Sequence, residues 1–251
     1  MDINIYELKE LHDIHKFFRG FRAHGTTGWW FRGHADVDWK LVPKAGRTEF
    51  YLGPNRNSGK GRDLGRFNHW RNLAVAYVKD LPENDWECLA VAQHHGLATR
   101  LLDWSLNPLV AVFFAVAEKP DCDGNVYCYD PELFVKEKTL PIDFLGVGIG
   151  FVPRAISPRI LNQRCAFTYH GPPEGEILVK PHHVWQDHSN LAKLVINKNL
   201  KSELLQHLDD YGMNHATLFP DLDGLSRDVN WETRTMVETK TRSTDEPEGA
   251  R

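Results

Sequence analysis

Much that would place this chain in a common class is missing from it. No apolar run approaches the roughly 18 to 20 residues needed to span a bilayer, and the first twenty residues lack the apolar core of a secretory leader. The sequence therefore predicts a soluble cytoplasmic protein without membrane association. Cysteine is scarce: Cys88, Cys122, Cys128 and Cys165 show no paired C-x-x-C spacing, and a chain this long needs no disulfide staples, so reduced thiols are expected. Positive charge is also lacking. A formal charge of −4 excludes the whole-surface basic character that gives non-specific nucleic-acid affinity, leaving room only for a local basic groove. There is no Walker A loop, no G-x-S-x-G elbow, no G-x-G-x-x-G turn and no internal repeat.

What is present suffices for a full hydrophobic core, since 41% of the 251 residues are apolar. Leu8, Leu11, Ile14, Phe17 and Phe21 recur at helical spacing and predict a helix over residues 6–21. A first strand over residues 28–34 follows. Residues 55–65, rich in Gly, Asn and basic side chains, read as a loop that could serve as a lid. Phe67, Trp70, Leu73, Tyr77 and Leu81 mark the next helix. Asn84, with Glu87 three residues on, resembles a capping box for another that stops at Gly96. Residues 99–105 read as a strand, and Asn107 with Pro108 suits a helix start. Further strands are expected at 124–130, 176–180 and 194–197, and a late helix at 200–211 ends before Gly212. Residues 1–231 then form one domain, and 232–251 form a polar tail expected to fray.

The first strand poses a chemical question. Its pleat puts Trp29, Phe31 and Gly33 on one face and Trp30, Arg32 and His34 on the other. A buried guanidinium needs a partner, so Arg32 meets either a ligand or a carboxylate such as Asp103, which itself lies between apolar neighbours in "LLDW". Asp103 could equally pair with Arg100.

Three segments together resemble the FRG domain family. They are "FRGH" with the following W-x-L-x-P (Trp39, Leu41, Pro43), "LAVAQHHGLATRLLDWSLNPLVAVFFA", and "SPRILNQRCAFT". The later "LFPDLDGL" also fits that family. More distantly, the chain resembles the arginine-type ADP-ribosyltransferases. Their strand motifs are matched by Arg32 in "FRG", by Ser105 before "AVFFA", and by Gln163 or the pair Glu174 and Glu176. The resemblance implies an α+β fold with a split, mixed or antiparallel central sheet flanked by helices. It also implies NAD as substrate, a macromolecular acceptor (protein or nucleic acid), a bacterial or phage toxin or defence role, and a neutralising antitoxin as possible partner.

Under that resemblance, NAD would contact Trp30, Arg32, Gly33, His34, Asp103 and Ser105. Arg32 would hold phosphate, Trp30 would stack on a ring, Gly33 would let the ligand approach the backbone, and Ser105 would bond a ribose or else cap the next helix. Arg32, Gln163, Glu176 and His95 are the catalytic candidates. Gln163 carries no charge, so Glu176 is the alternative third element. His94 and His95 point about 100° apart on a helix and cannot easily chelate one ion; His95 could act as a general acid/base or bond the substrate. His182, His183 and His188 show no zinc-ligand spacing. Two other classes stay open: a non-catalytic nucleic-acid or protein sensor, and a metal-dependent nuclease that would use Asp221 and Asp223.

Overall fold

A computed structural model describes residues 4–21, 23–24, 27–51, 62–136, 145–155, 157–177 and 190–245. The chain opens with β1 (Asn4–Leu8) and α1 (Asp13–Arg19), then the short strands β2 (Ala23–His24) and β3 (Thr27–Gly28). The helix expected over 6–21 is thus divided. Residues 4–8 satisfy their backbone along the edge of the sheet, while Tyr6 meets Phe17 edge-on at 5.2 Å, so a strand packed on a helix reproduced the apolar spacing of one longer helix.

Next come β4 (Trp30–His34), a one-turn 3-10 helix (Lys44–Gly46), α2 (Asp63–Ala74) and α3 (Asp85–His94). Asn84 caps α3 through its side chain, as expected, but Glu87 turns away to pair with Arg154 instead of closing a capping box. Helix α2 starts earlier than its apolar spacing predicts, because Asp63 in its first turn is held by the buried Arg100. It ends at Ala74, and Tyr77 beyond it is exposed. Of the expected 55–65 loop, residues 55–61 lie outside the described residues.

Strand β5 (Leu101–Ser105) leads into α4 (Pro108–Val116), capped by the Asn107 side chain with proline in its first turn. Then follow β6 (Gly124–Tyr129), β7 (Gly146–Phe151), α5 (Pro158–Asn162), β8 (Cys165–Gly171), β9 (Leu191–Ile196), α6 (Lys198–Asp210), α7 (His215–Leu218) and α8 (Leu222–Asp245). Residues 176–177 are not in a strand, and 178–180 lie outside the described residues. Composition predicts fraying from Glu232, yet the backbone stays helical to Asp245. Extending a nucleated helix needs only one bond per residue fixed.

The fold is α+β. Its main sheet is mixed and open, in the order β1-β9-β6-β4-β5-β8-β7, with β1–β9 parallel and the other pairings antiparallel. Phe31, Val110, Phe113, Val126, Cys128 and Leu194 share a core between one face and the helices, and Trp86, Leu89, Leu101 and Phe167 extend it under α3. Trp30, Leu102, Trp104, Tyr127 and Tyr129 pack on the opposite face. The predicted pleat of β4 is therefore correct. The sheet is not divided in two, but β4 and β5 share a single register pair, Phe31 with Ser105. Continuing that register would place Gly33 opposite Asp103, and no such pair forms, so the two central strands fork there.

Candidate functional site

Helix α4 fixes the upper side of the fork. A Cβ on Gly33 would stand 1.8 Å from the Ala111 carbonyl oxygen, so glycine here lets the helix lie directly on β4. The expected role of Gly33, approach of a ligand to the backbone, is thus taken by a helix. Lys201 of α6 braces the same region. Its buried ammonium donates to the carbonyls of Ala35 (2.6 Å), Lys119 (2.9 Å) and Glu118 (3.2 Å), tying the end of β4 to the segment after α4.

Arg32 projects into the fork. Its Nη1 donates to the Asp103 carbonyl oxygen at 2.6 Å and lies 3.7 Å from Asp103 Oδ2, while Nε donates to His34 Nε2 at 2.9 Å. Nη2 has no partner among the described residues. The guanidinium thus supplies the hydrogen bond that β5 loses where the strands part. Burial lowers its pKa to about 10, offset in part by Asp103, so it stays charged at neutral pH.

His34 Nδ1 lies 3.1 Å from the Trp39 carbonyl oxygen, which only accepts. Nδ1 therefore carries the proton and Nε2 offers its lone pair to Arg32. Burial, then the Arg32 charge, pushes the imidazole down to about 2, so it remains neutral. The F-R-G-H and W-x-L-x-P segments are coupled through this ring.

Asp103 alternates with Leu102 and Trp104, so it shares the helix-covered face with Leu101. Its carboxylate is 46% exposed and faces the fork, and Oδ2 accepts a 2.9 Å bond from Gln93 Nε2. Gln93 is itself oriented: Thr99 Oγ1 donates to its Oε1 at 2.6 Å, and the Leu101 N–H donates to Thr99 Oγ1 at 3.1 Å. The carboxylate is thus set by a chain of bonds while half of it meets solvent. Arg100 does not compete for it, being bound to Asp63 and the Tyr169 hydroxyl.

Two cavities meet at this carboxylate, one of about 320 Å³ and one of about 270 Å³, and Arg32, Arg47, Gln93 and Asp103 line both. The larger also receives Arg159, Arg227, Trp39 and His94, and the smaller Lys44 and Gly96. Five cations (Arg32, Lys44, Arg47, Arg159 and Arg227) thus face two carboxylates, Asp103 and Glu118, against the negative charge of the whole chain.

The remaining candidates are engaged by other groups or lie outside the two cavities, although Ser105 and Gln163 line the larger. Trp30 is fully buried edge-on to Phe134 and offers no stacking surface, because the second face of the sheet is itself covered. Ser105 Oγ donates to the Gln163 carbonyl oxygen and accepts from Asn107 N–H, so both its capacities serve the turn into α4. Gln163 touches the larger cavity, but its Nε2 donates to the Leu218 carbonyl oxygen at 2.9 Å and its Oε1 accepts from Cys165 Sγ. Glu176 is exposed and outside both linings, and Glu174 accepts from the Tyr51 hydroxyl. His95 sits exposed at the end of α3; its neighbour His94 is the one that faces the cleft. There His94 Nε2 is buried without a partner among the described residues, and burial holds its pKa near 4.

Asp221 Oδ1 accepts from the Gly224 N–H at the start of α8, and Asp223 is exposed in its first turn. His182, His183 and His188 lie outside the described residues. The sequence reading missed Gln93, Thr99, Lys44 and Arg47, and it chose His95 over His94. The one available signal was Gln93, the polar residue between the apolar run "CLAVA" and the histidine pair.

Residues 27–124 match the family model of the FRG domain, and this span holds the F-R-G-H and W-x-L-x-P segments and the central block. No curated protein and no solved structure matches the chain.

Proposed function

We propose that this chain, which carries an FRG domain over residues 27–124, is an ADP-ribosyltransferase-like enzyme that takes NAD as substrate and modifies a macromolecule. The observation that carries the reading is the oriented, half-exposed Asp103 carboxylate facing a cation-lined cleft beside Arg32. The strand order supports it: the strands bearing Arg32 and Ser105, and the strand that follows Gln163, lie side by side as β4-β5-β8.

The residues present suit such a substrate. Cleaving the nicotinamide–ribose bond sends the bonding pair to the leaving ring nitrogen and builds positive charge on the ribose, which a nearby carboxylate stabilises. Asp103 takes that role in this reading, in place of the engaged Gln163 and of Glu176, which lines neither cavity. The free Nη2 of Arg32, with Arg47 and Arg159, neutralises the diphosphate. The acceptor then attacks the same ribose carbon and releases its proton, which Asp103 accepts in this reading.

Nicotinamide release from NAD by purified protein tests this directly. Asp103→Asn keeps the shape and the bond acceptor but removes the charge, and is expected to lower the rate on the order of 100-fold or more while ADP-ribose still binds. A folded protein with no affinity for NAD or ADP-ribose, or an Asp103→Asn variant with undiminished release, would overturn the proposal.

A further inference from the structure

The smaller cavity has features the donor does not require. Its lining adds Lys44 and Gly96 to the Arg32, Arg47, Gln93 and Asp103 that it shares with the larger one. Lys44 Nζ donates one hydrogen bond, to the Gly96 carbonyl oxygen at 3.0 Å, and lies 5.4 Å from the centroid of the Phe50 ring, and it meets no carboxylate among the described residues. A side chain on Gly96 would meet nothing within 4 Å, which marks this wall as open. Arg47 is exposed at the mouth. Three cations therefore surround a space with Asp103 as its one carboxylate, and a cation cluster of that kind selects phosphate over a neutral or cationic side chain.

We infer that this cavity is the acceptor subsite and that the acceptor is a single-stranded nucleic acid, held by a phosphate against Lys44, Arg47 and Arg32. The inference rests on the transferase reading above for the word acceptor, but its binding content stands apart from it. Two observations favour nucleic acid over a phosphorylated protein. The two cavities share Arg32 and Arg47, and the smaller adds Lys44 while the larger adds Arg159 and Arg227, more cations than one phosphate needs. Trp39, 43% exposed, borders the larger cavity and gives a base an aromatic surface at the rim. With Asp103 lining both cavities, a strand seated in the smaller one would present its nucleophile to the ribose of a donor in the larger. Negative charge over the rest of the chain confines the attraction to this groove.

The test measures binding of a short single-stranded oligonucleotide by fluorescence anisotropy across a salt series, without NAD, using wild type, Lys44→Gln and Arg47→Gln. A thermal scan of each variant confirms folding. Each substitution is expected to weaken binding about tenfold and to reduce the slope of log affinity against log salt by about 0.7. Wild-type protein that ignores the oligonucleotide, variants that bind it as well as wild type, or preferential binding of a phosphopeptide would each overturn the inference. The two proposals fail separately. Oligonucleotide binding without nicotinamide release sinks the transferase reading and keeps the nucleic-acid site, whereas nicotinamide release without oligonucleotide binding sinks the acceptor assignment alone.

Discussion

Replacing Lys201 with methionine isolates the brace behind the fork. The side chain is 2% exposed, and its ammonium donates to three carbonyls: those of Ala35, Glu118 and Lys119. Methionine has nearly the same length, so the apolar stem stays packed against Gly124 while the donor disappears. The Lys119 carbonyl retains a bond from the Cys122 N–H, which leaves Ala35 and Glu118 as the acceptors at risk. Ala35 is buried, so its deprived carbonyl costs about 1 to 3 kcal/mol, whereas the exposed Glu118 can turn to water; removing a charge that burial disfavours returns part of the cost. For a chain of this size a loss of about 1 to 3 kcal/mol lowers the melting temperature by roughly 2 to 12 °C. Far-ultraviolet circular dichroism during a thermal ramp, backed by urea titration, measures it. A melting temperature within about 1 °C of wild type would show that the three carbonyls find other donors and that Lys201 braces nothing.

Two further outcomes follow from burial and packing. His34, held near 2, and His94 and His170, held near 4, stay neutral in the folded chain chiefly because burial disfavours their charge. An unfolded histidine takes a proton near 6.5, so the unfolded state binds more protons below that pH. Stability should be present in full above about 6.5 and fall as pH drops towards 4, by up to about 1.4 kcal/mol per pH unit for each ring. Equal urea midpoints at pH 7 and pH 5 would contradict this. Gly33→Ala drives a methyl into the Ala111 carbonyl of α4 and should cost at least about 1 to 3 kcal/mol. Soluble Gly33→Ala protein with unchanged urea stability would show that α4 does not lie on β4 as described.

The parts of the fold legible in the sequence were those with local causes. The period of two in β4 placed Trp30, Arg32 and His34 correctly, and Asn107 with Pro108 marked the start of α4. Arg32 and Asp103 could be named as partners because a buried charge needs one. Their meeting through the Asp103 backbone was not legible, since it depends on two strands parting after a single register pair. Strand β1 was hidden because its partner, β9, lies nearly two hundred residues away in sequence and Leu8 and Ile14 reach the core from either structure. Gln163 illustrates the opposite error. Its position suited a transferase motif, but the Leu218 carbonyl that occupies its amide belongs to α7, which no local pattern links to it. The choice between His94 and His95 turned on the rotation of α3 against the sheet, one residue at a time.

The strand order also separates inheritance from autonomy. The segment that carries the family signature, residues 27–124, contains β4 and β5 as its complete strands of the main sheet, and these touch through one register pair. Their strong neighbours come from outside it: β6 beside β4 begins at its last residue, and β8 beside β5 begins some forty residues later. Excised, the signature would be two ribbons with bare hydrogen-bonding edges on both sides, an aggregation hazard and no domain. The signature is therefore a motif that needs the rest of the chain as a scaffold, and grafting it elsewhere would mean transplanting the flanking strands that hold its two halves at the distance the fork requires.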